Sequence, residues 1–142
     1  MLELLQFQRE SVVRKVEGIS DADAAGAATA TGTSLLWLVQ HLRRAELIWV
    51  LWRFAGQDVV VPDDAVRLDE SVTESVGAYR AMWADVDEVL DASPDLEAEC
   101  ANIGALPQVN LRWVLMHLLE ETARHAGHAD ILREQLDGAV GR

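Results

Sequence analysis

The sequence has a single cysteine, Cys100, among 142 residues, so no disulfide can close within the chain. It has one tyrosine, two phenylalanines and scarcely any alternation of apolar and polar residues, so the marks of β-strands are missing. Basic residues are few. Twelve Lys and Arg stand against 24 Asp and Glu, a formal net charge of −12 and a pI near 4.6. A phosphate backbone or an anionic membrane surface would repel such a molecule, which argues against nucleic acid and membrane as partners. No apolar run is free of charge. The longest, residues 35–54, could cross a bilayer in length, but His41, Arg43, Arg44, Glu46 and Arg53 interrupt it, and it reads as a buried helix. The start MLELLQFQRE puts a glutamate and an arginine where a signal peptide needs an apolar core, so the expected location is cytoplasmic. Neither an internal repeat nor a low-complexity tract is present.

Half of the residues are apolar and a quarter charged, and the length suits one domain over residues 1–142. Leucine and alanine recur at three- and four-residue spacing, which predicts an all-α chain. A first helix is expected over 2–17, stopped by Gly18, followed by a connection over 19–32 with room for a short helical turn. Thr33 or Ser34 caps a second helix that runs to Phe54 and ends at Gly56, a residue suited to a left-handed cap. Ser71 and Glu74 form a capping box for a third helix ending before Pro94. Asn110 caps the last helix, over 111–137, with Gly138 just past its end. Four long helices predict a four-helix bundle, and the long loops between them leave its up-and-down order open.

Any chemistry rests on four histidines, His41 on the second helix and His117, His125 and His128 on the fourth. At about 100° per residue, His41 falls among Leu38, Leu42, Ala45, Ile48, Trp49 and Trp52, near the middle of an apolar face. On the last helix the apolar stripe is Leu111, Val114, Leu115, Leu118, Ala126, Ala129, Leu132 and Leu136. His125 lies inside it, Glu121 about 40° round on its edge, and His128 and His117 farther out. One histidine facing a Glu-x-x-x-His pair makes a two-His, one-carboxylate ligand set. Such a set leaves a divalent ion with open positions for water or substrate. Spacing alone leaves a second reading equally open, in which the histidines are hydrogen-bonded core residues without metal. Trp37, Trp49, Trp52, Trp83 and Trp113 read as core and rim rather than as a ligand pocket. Cys100 beside Glu97 and Glu99 is a poor thiolate. Glu120, Arg124, Asp130, Arg133 and Glu134 read as a self-paired solvated face.

Two segments carry a resemblance: SLLWLVQHLRRAE over 34–46 and LRWVLMHLLEETARHAGHADILRE over 111–134. They resemble the DinB/YfiT-like superfamily, and within it the branch of the mycothiol S-transferases. The likeness spans nearly the whole chain and implies an up-down-down-up bundle, usually a homodimer, with a divalent metal on one residue of the second helix and two of the fourth. Many members write the last pair His-x-x-x-His followed by Arg-Gly-Gln. Here Glu121 takes the first position, His125 the second, Gly127 the glycine and His128 the glutamine. Glutamate at 121 is similar to the zinc site of mycothiol-dependent maleylpyruvate isomerase. The resemblance thus implies His41, Glu121 and His125 as metal ligands, with His128 either an alternative ligand or a neighbour of the site.

The expected function is a metal-dependent thiol transferase. Zinc is the first expectation for the metal, nickel or iron the alternatives, with mycothiol or a similar small thiol as co-substrate and an electrophile as substrate. His128 is the candidate catalytic residue for proton transfer. Arg124 and Arg112 are candidates to meet a carboxylate on cofactor or substrate. Two other functions compete: a non-catalytic bundle acting as a binding or stress-response module, and a hydrolase acting through metal-bound water.

Overall fold

The computed structural model describes residues 1–26, 29–104 and 107–140. Parts of the two expected connections, residues 27–28 and 105–106, and the last two residues of the expected domain lie outside the described residues. The described residues form no strand, only an isolated bridge between Glu99 and Asn110.

Local signals set most helix boundaries. Helix α1, Leu2–Val16, ends just before Gly18, whose φ is +77°. The first connection does carry a short helix, α2, Asp21–Ala25, whose cap Ser20 accepts from the Asp23 amide. Of the two candidate caps for α3, Leu35–Glu46, Ser34 is the one used, accepting from the Trp37 amide at 3.1 Å. Helix α4, Val72–Asp91, begins with both halves of the Ser71–Glu74 capping box made. Helix α5, Leu111–Asp137, begins at Asn110, which accepts from the Trp113 amide, and ends at left-handed Gly138, φ +73°.

One stretch departs from expectation. Residues Leu47–Phe54 continue α3 as a π-helix rather than an α-helix. The Ala55 amide, for example, reaches back five residues to the Val50 carbonyl at 2.9 Å. The segment ends at Gly56, φ +68°, where a Cβ would meet that of Ala101 at 2.8 Å, so both backbone angle and space require glycine.

Two apolar layers fix the order of the helices. In one, Val12, Val13 and Val16 meet Leu35, Leu36 and Leu38, Val72 and Val76, and Ala126, Ala129 and Leu132. In the other, Leu5 meets Val50 and Leu51, Val86 and Leu90, and Leu111, Val114 and Leu115. The end of α1 therefore lies beside the starts of α3 and α4 and the end of α5. That is up-down-down-up, with α1 and α5 parallel and α3 and α4 parallel. Parallel neighbours need a connection along the length of the bundle, so residues 55–71 form a crossover strap.

Between the layers lies a buried ion pair. Arg9, 2% exposed, donates from Nε and Nη2 to the two oxygens of Glu46, 1% exposed, at 2.9 and 2.7 Å. Tyr79 Oη also donates to Glu46 Oε1, at 3.2 Å. Burial pushes the Glu46 carboxyl up, and Arg9 beside it draws it only part of the way back. Glu46, which in sequence only breaks an apolar run, is the partner that makes Arg9 tolerable in the core.

Candidate metal centre

His41, Glu121 and His125 come together at the seam of α3 and α5, each offering a donor atom within 4.8 Å of the others. Glu121 Oε1 lies 3.1 Å from His41 Nε2 and 3.2 Å from His125 Nε2. The two imidazoles stand edge to face, centroids 4.9 Å apart, and the Trp37 indole stacks on His41 at 4.5 Å. His41 is not at the middle of a buried face as the wheel predicts. It sits half-buried at the rim, because the buried line of α3 runs through Leu35, Leu38, Val39, Leu42 and Glu46. On α5 the stripe holds except at Leu136, which is exposed; Glu121 is on its edge and His125 is buried.

The unexpected neighbour is Asp64, on the crossover strap. Its carboxylate oxygens lie 2.9 and 3.1 Å from His41 Nδ1. Sequence gave no sign of it, since Asp63 and Asp64 are two adjacent acids in a loop more than 20 residues from His41 in the chain.

The charges around the centre are unbalanced in a telling way. Burial tends to push the Glu121 carboxyl up, but the hydrogen bond from His41 and the charge and hydrogen bond of His125 outweigh it, leaving the group below its ordinary value. Burial pushes the His125 imidazole down, beyond what Glu121 restores, which favours its neutral form. His41 has a carboxylate on each ring nitrogen, yet a neutral imidazole carries only one N–H. Without a cation, an Nε2–H toward Glu121 is what lowers that carboxyl. With the proton on Nδ1 toward Asp64 instead, the Nε2 lone pair faces Glu121, and a divalent ion between them would take the place of that proton. The donor set therefore fits a divalent metal.

His128 is exposed, and its Nδ1 lies 3.3 Å from His125 Nδ1, on the side of that ring away from Glu121. It stands behind His125 rather than among the three clustered donors. His117, one turn before Glu121, is packed instead between indoles, with Trp49 at 4.4 Å and Trp113 at 5.1 Å.

The profile of the Mycothiol-S-transferase family matches residues 1–138. The chain belongs to this family. No curated protein matches it. A DinB-like protein from Bacillus cereus ATCC 10987 has a similar crystal structure, TM-score 0.76 at 17% identity, covering 99% of this chain and 93% of that one. A conserved protein from Enterococcus faecalis gives TM-score 0.71 at 18% identity, covering 96% and 95%. These likenesses establish the fold as the DinB-like bundle, in agreement with the helix order found above.

In this mycothiol S-transferase family member the two arginine candidates part ways. Arg124 Nη1 lies 3.5 Å from Glu121 Oε2, and Arg124 is exposed and also paired with Glu120. Arg112 is bound to Glu97 at 2.7 Å near the start of α5, about 13 Å along the helix from Glu121. It is not placed to serve this site. Cys100 is buried, and burial, rather than the neighbouring acids, pushes its thiol up against the lowering effect of Arg53. The tryptophans divide as expected into core, Trp83, and rim, with Trp37 the one that touches the histidine cluster. The outer face of α5 is self-paired through Glu120 and Arg124, and Arg133 with Asp137 at 2.9 Å; Asp130 instead pairs with Lys15 of α1.

Proposed function

We propose that the chain is a divalent-metal-dependent S-transferase that joins mycothiol, or a similar small thiol, to an electrophile. The observation that carries this reading is His41, held between two carboxylates in a geometry that a cation at Nε2 satisfies. Membership of the mycothiol S-transferase family supplies the thiol. His41, Glu121 and His125 are the proposed ligands, zinc the first candidate metal, and nickel or iron the next. A bound ion of this kind would supply Lewis acidity, lowering the pKa of a coordinated thiol so that thiolate exists near neutral pH.

The remaining roles fall to the chain itself. Glu121, held below its ordinary carboxylate range, brings one negative charge, so a dication on the three ligands would keep one net positive charge. That residual charge suits an anionic sulfur. His128 Nδ1 lies behind His125, where it can accept from His125 Nδ1–H and hold that ring's Nε2 toward the centre, and a catalytic role in proton transfer for His128 would need its ring to turn. Arg124, exposed beside Glu121, is placed to meet a carboxylate of the thiol or of the electrophile. In the net reaction the S–H bond and the bond to the leaving group break, a C–S bond forms, and the proton departs with the leaving anion. A cytoplasmic location and a homodimer belong to the same reading. Among the described residues no helix is long and apolar enough to cross a membrane.

The test begins with metal content per chain, by elemental mass spectrometry on protein purified without an affinity tag. Near one equivalent of zinc, nickel or iron supports the reading, and thiol-dependent consumption of an electrophile by that protein completes it. Turnover without thiol replaces transfer by hydrolysis. Protein that takes up no divalent ion on incubation makes the cluster structural and favours a binding module.

A further inference from the structure

We propose that Asp64, on the crossover strap, is a positioning residue of the metal centre, one that fixes His41 with its proton on Nδ1 and its Nε2 lone pair toward Glu121 and His125. The inference rests on the metal reading above and adds to it a residue from outside the two motif helices.

The geometry singles out Asp64. Both of its carboxylate oxygens reach His41 Nδ1, at 2.9 and 3.1 Å, while the adjacent Asp63 is spent on the Ala65 amide at 3.1 Å. The backbone that carries Asp64 is itself held against α3. Trp37 Nε1 donates to the Asp64 carbonyl at 2.8 Å, Arg44 Nε to the Pro62 carbonyl at 2.7 Å, and Gln40 exchanges two hydrogen bonds with the backbone of Arg67 at 3.1 and 2.8 Å. Trp37 acts twice. Its indole covers one face of the His41 ring, and its N–H anchors the residue that grips the ring's edge. The imidazole thus has its plane set by Trp37 and its rotation within that plane set by Asp64.

Stability alone does not account for this arrangement. The Asp64 side chain is 41% exposed, and an ion pair so open to water contributes little to folding. Orientation is a different matter. A ligating imidazole whose other nitrogen donates to a carboxylate is held in one tautomer and is a stronger base toward the metal. His125 has its own outer neighbour in His128, so each histidine has a partner on the ring nitrogen away from Glu121, and for His41 that partner is an acid.

The test compares Asp64→Ala and Asp64→Asn with the parent protein by zinc affinity, read by competition with a chelator. The alanine variant is expected to bind zinc about 10- to 100-fold more weakly. The asparagine variant keeps an acceptor oxygen for Nδ1–H and is expected to recover most of that loss. A merely structural role would lower the melting temperature of the metal-free protein and leave zinc affinity unchanged, and that result overturns the proposal. Nitrogen-15 NMR of His41 in metal-free protein provides the second readout. An Nδ1–H bonded to Asp64 is expected in the parent and its loss in the alanine variant; a parent without Nδ1–H overturns the proposal whether or not zinc binds. If the parent binds no zinc, the metal reading fails, and the NMR comparison still decides whether Asp64 sets the ring.

Discussion

Two carboxylates, Glu46 and Glu121, sit at neighbouring levels of the same bundle and have opposite surroundings. Glu46 is sealed, with two hydrogen bonds from Arg9 and one from Tyr79. Glu121 lies at a rim, its nearest partners two imidazoles whose nitrogens are also claimed from behind by Asp64 and His128. The first is closed on all sides, whereas the second, with Arg124 Nη1 at 3.5 Å from its outer oxygen, stays open to the rim. Placement of a charge in a bundle therefore says less about its role than whether another group can still reach it. A sealed pair holds the fold, and a cluster left open at the rim is one that a ligand can enter.

Substitutions at the two carboxylates should separate these roles. The largest expected effect is at the rim. His41→Ala, Glu121→Ala and His125→Ala should each abolish tight metal binding by isothermal titration, whereas His117→Ala, removed from the cluster by its two indoles, should not. Any one of the first three that still holds one ion per chain at parental affinity removes that residue from the ligand set. Next in size is the sealed pair. Glu46→Ala should cost about 3 kcal/mol in urea unfolding, because Arg9 would keep only Gln6 and the exposed Asp87 on Nη1 and lose both bonds from Nε and Nη2. Replacing both by apolar residues, as in R9M with E46L, should restore most of that stability, and folded protein of either kind should still bind metal. If the double replacement also abolishes binding, the two regions are not independent.

Smaller effects belong to a third carboxylate, Glu74, which lies at the surface. Ser71→Ala should cost about 1 kcal/mol through the lost cap. Hydrogen bonds from the Ser71 side chain and backbone hold the Glu74 carboxyl below its ordinary value. Its contribution is therefore present above the unfolded-state pKa and lost as pH falls through the lower folded-state value. The stability difference between the parent and Glu74→Gln should accordingly shrink in acid, which unfolding curves at a series of pH values would read. A difference that grows as pH falls would reverse that assignment.

Much of this was legible before the fold was known. Caps at Ser34, Ser71 and Asn110 and glycines at 56 and 138 are local, and local chemistry set those boundaries. The Glu121–His125 pair was legible because α5 keeps regular α-helical winding through it. The wheel failed on α3 for a physical reason. It carried Ile48, Trp49 and Trp52 at about 100° per residue, but the π-wound stretch from Leu47 turns less per residue, so these positions do not continue the line through His41. The run LIWVLWRF holds no glycine or proline to announce the change. Arg9 and Glu46 could have been paired, since each interrupts an apolar stripe, Leu5–Val12 on one helix and Leu42–Val50 on the other, with opposite charge. Asp64 could not have been, because its role depends on where a long strap is laid down.

The parallel pairing of the first and last helices has a consequence in time. Arg133 of α5 donates to the Lys15 carbonyl of α1, and His41 meets Glu121 across 80 positions. Neither contact exists until the ribosome has released α5, so the growing chain carries the open inner faces of α1 and α3 until then. The cluster of His41, Glu121 and His125 therefore closes only when α5 packs onto α3, and its closure marks a bundle that has formed.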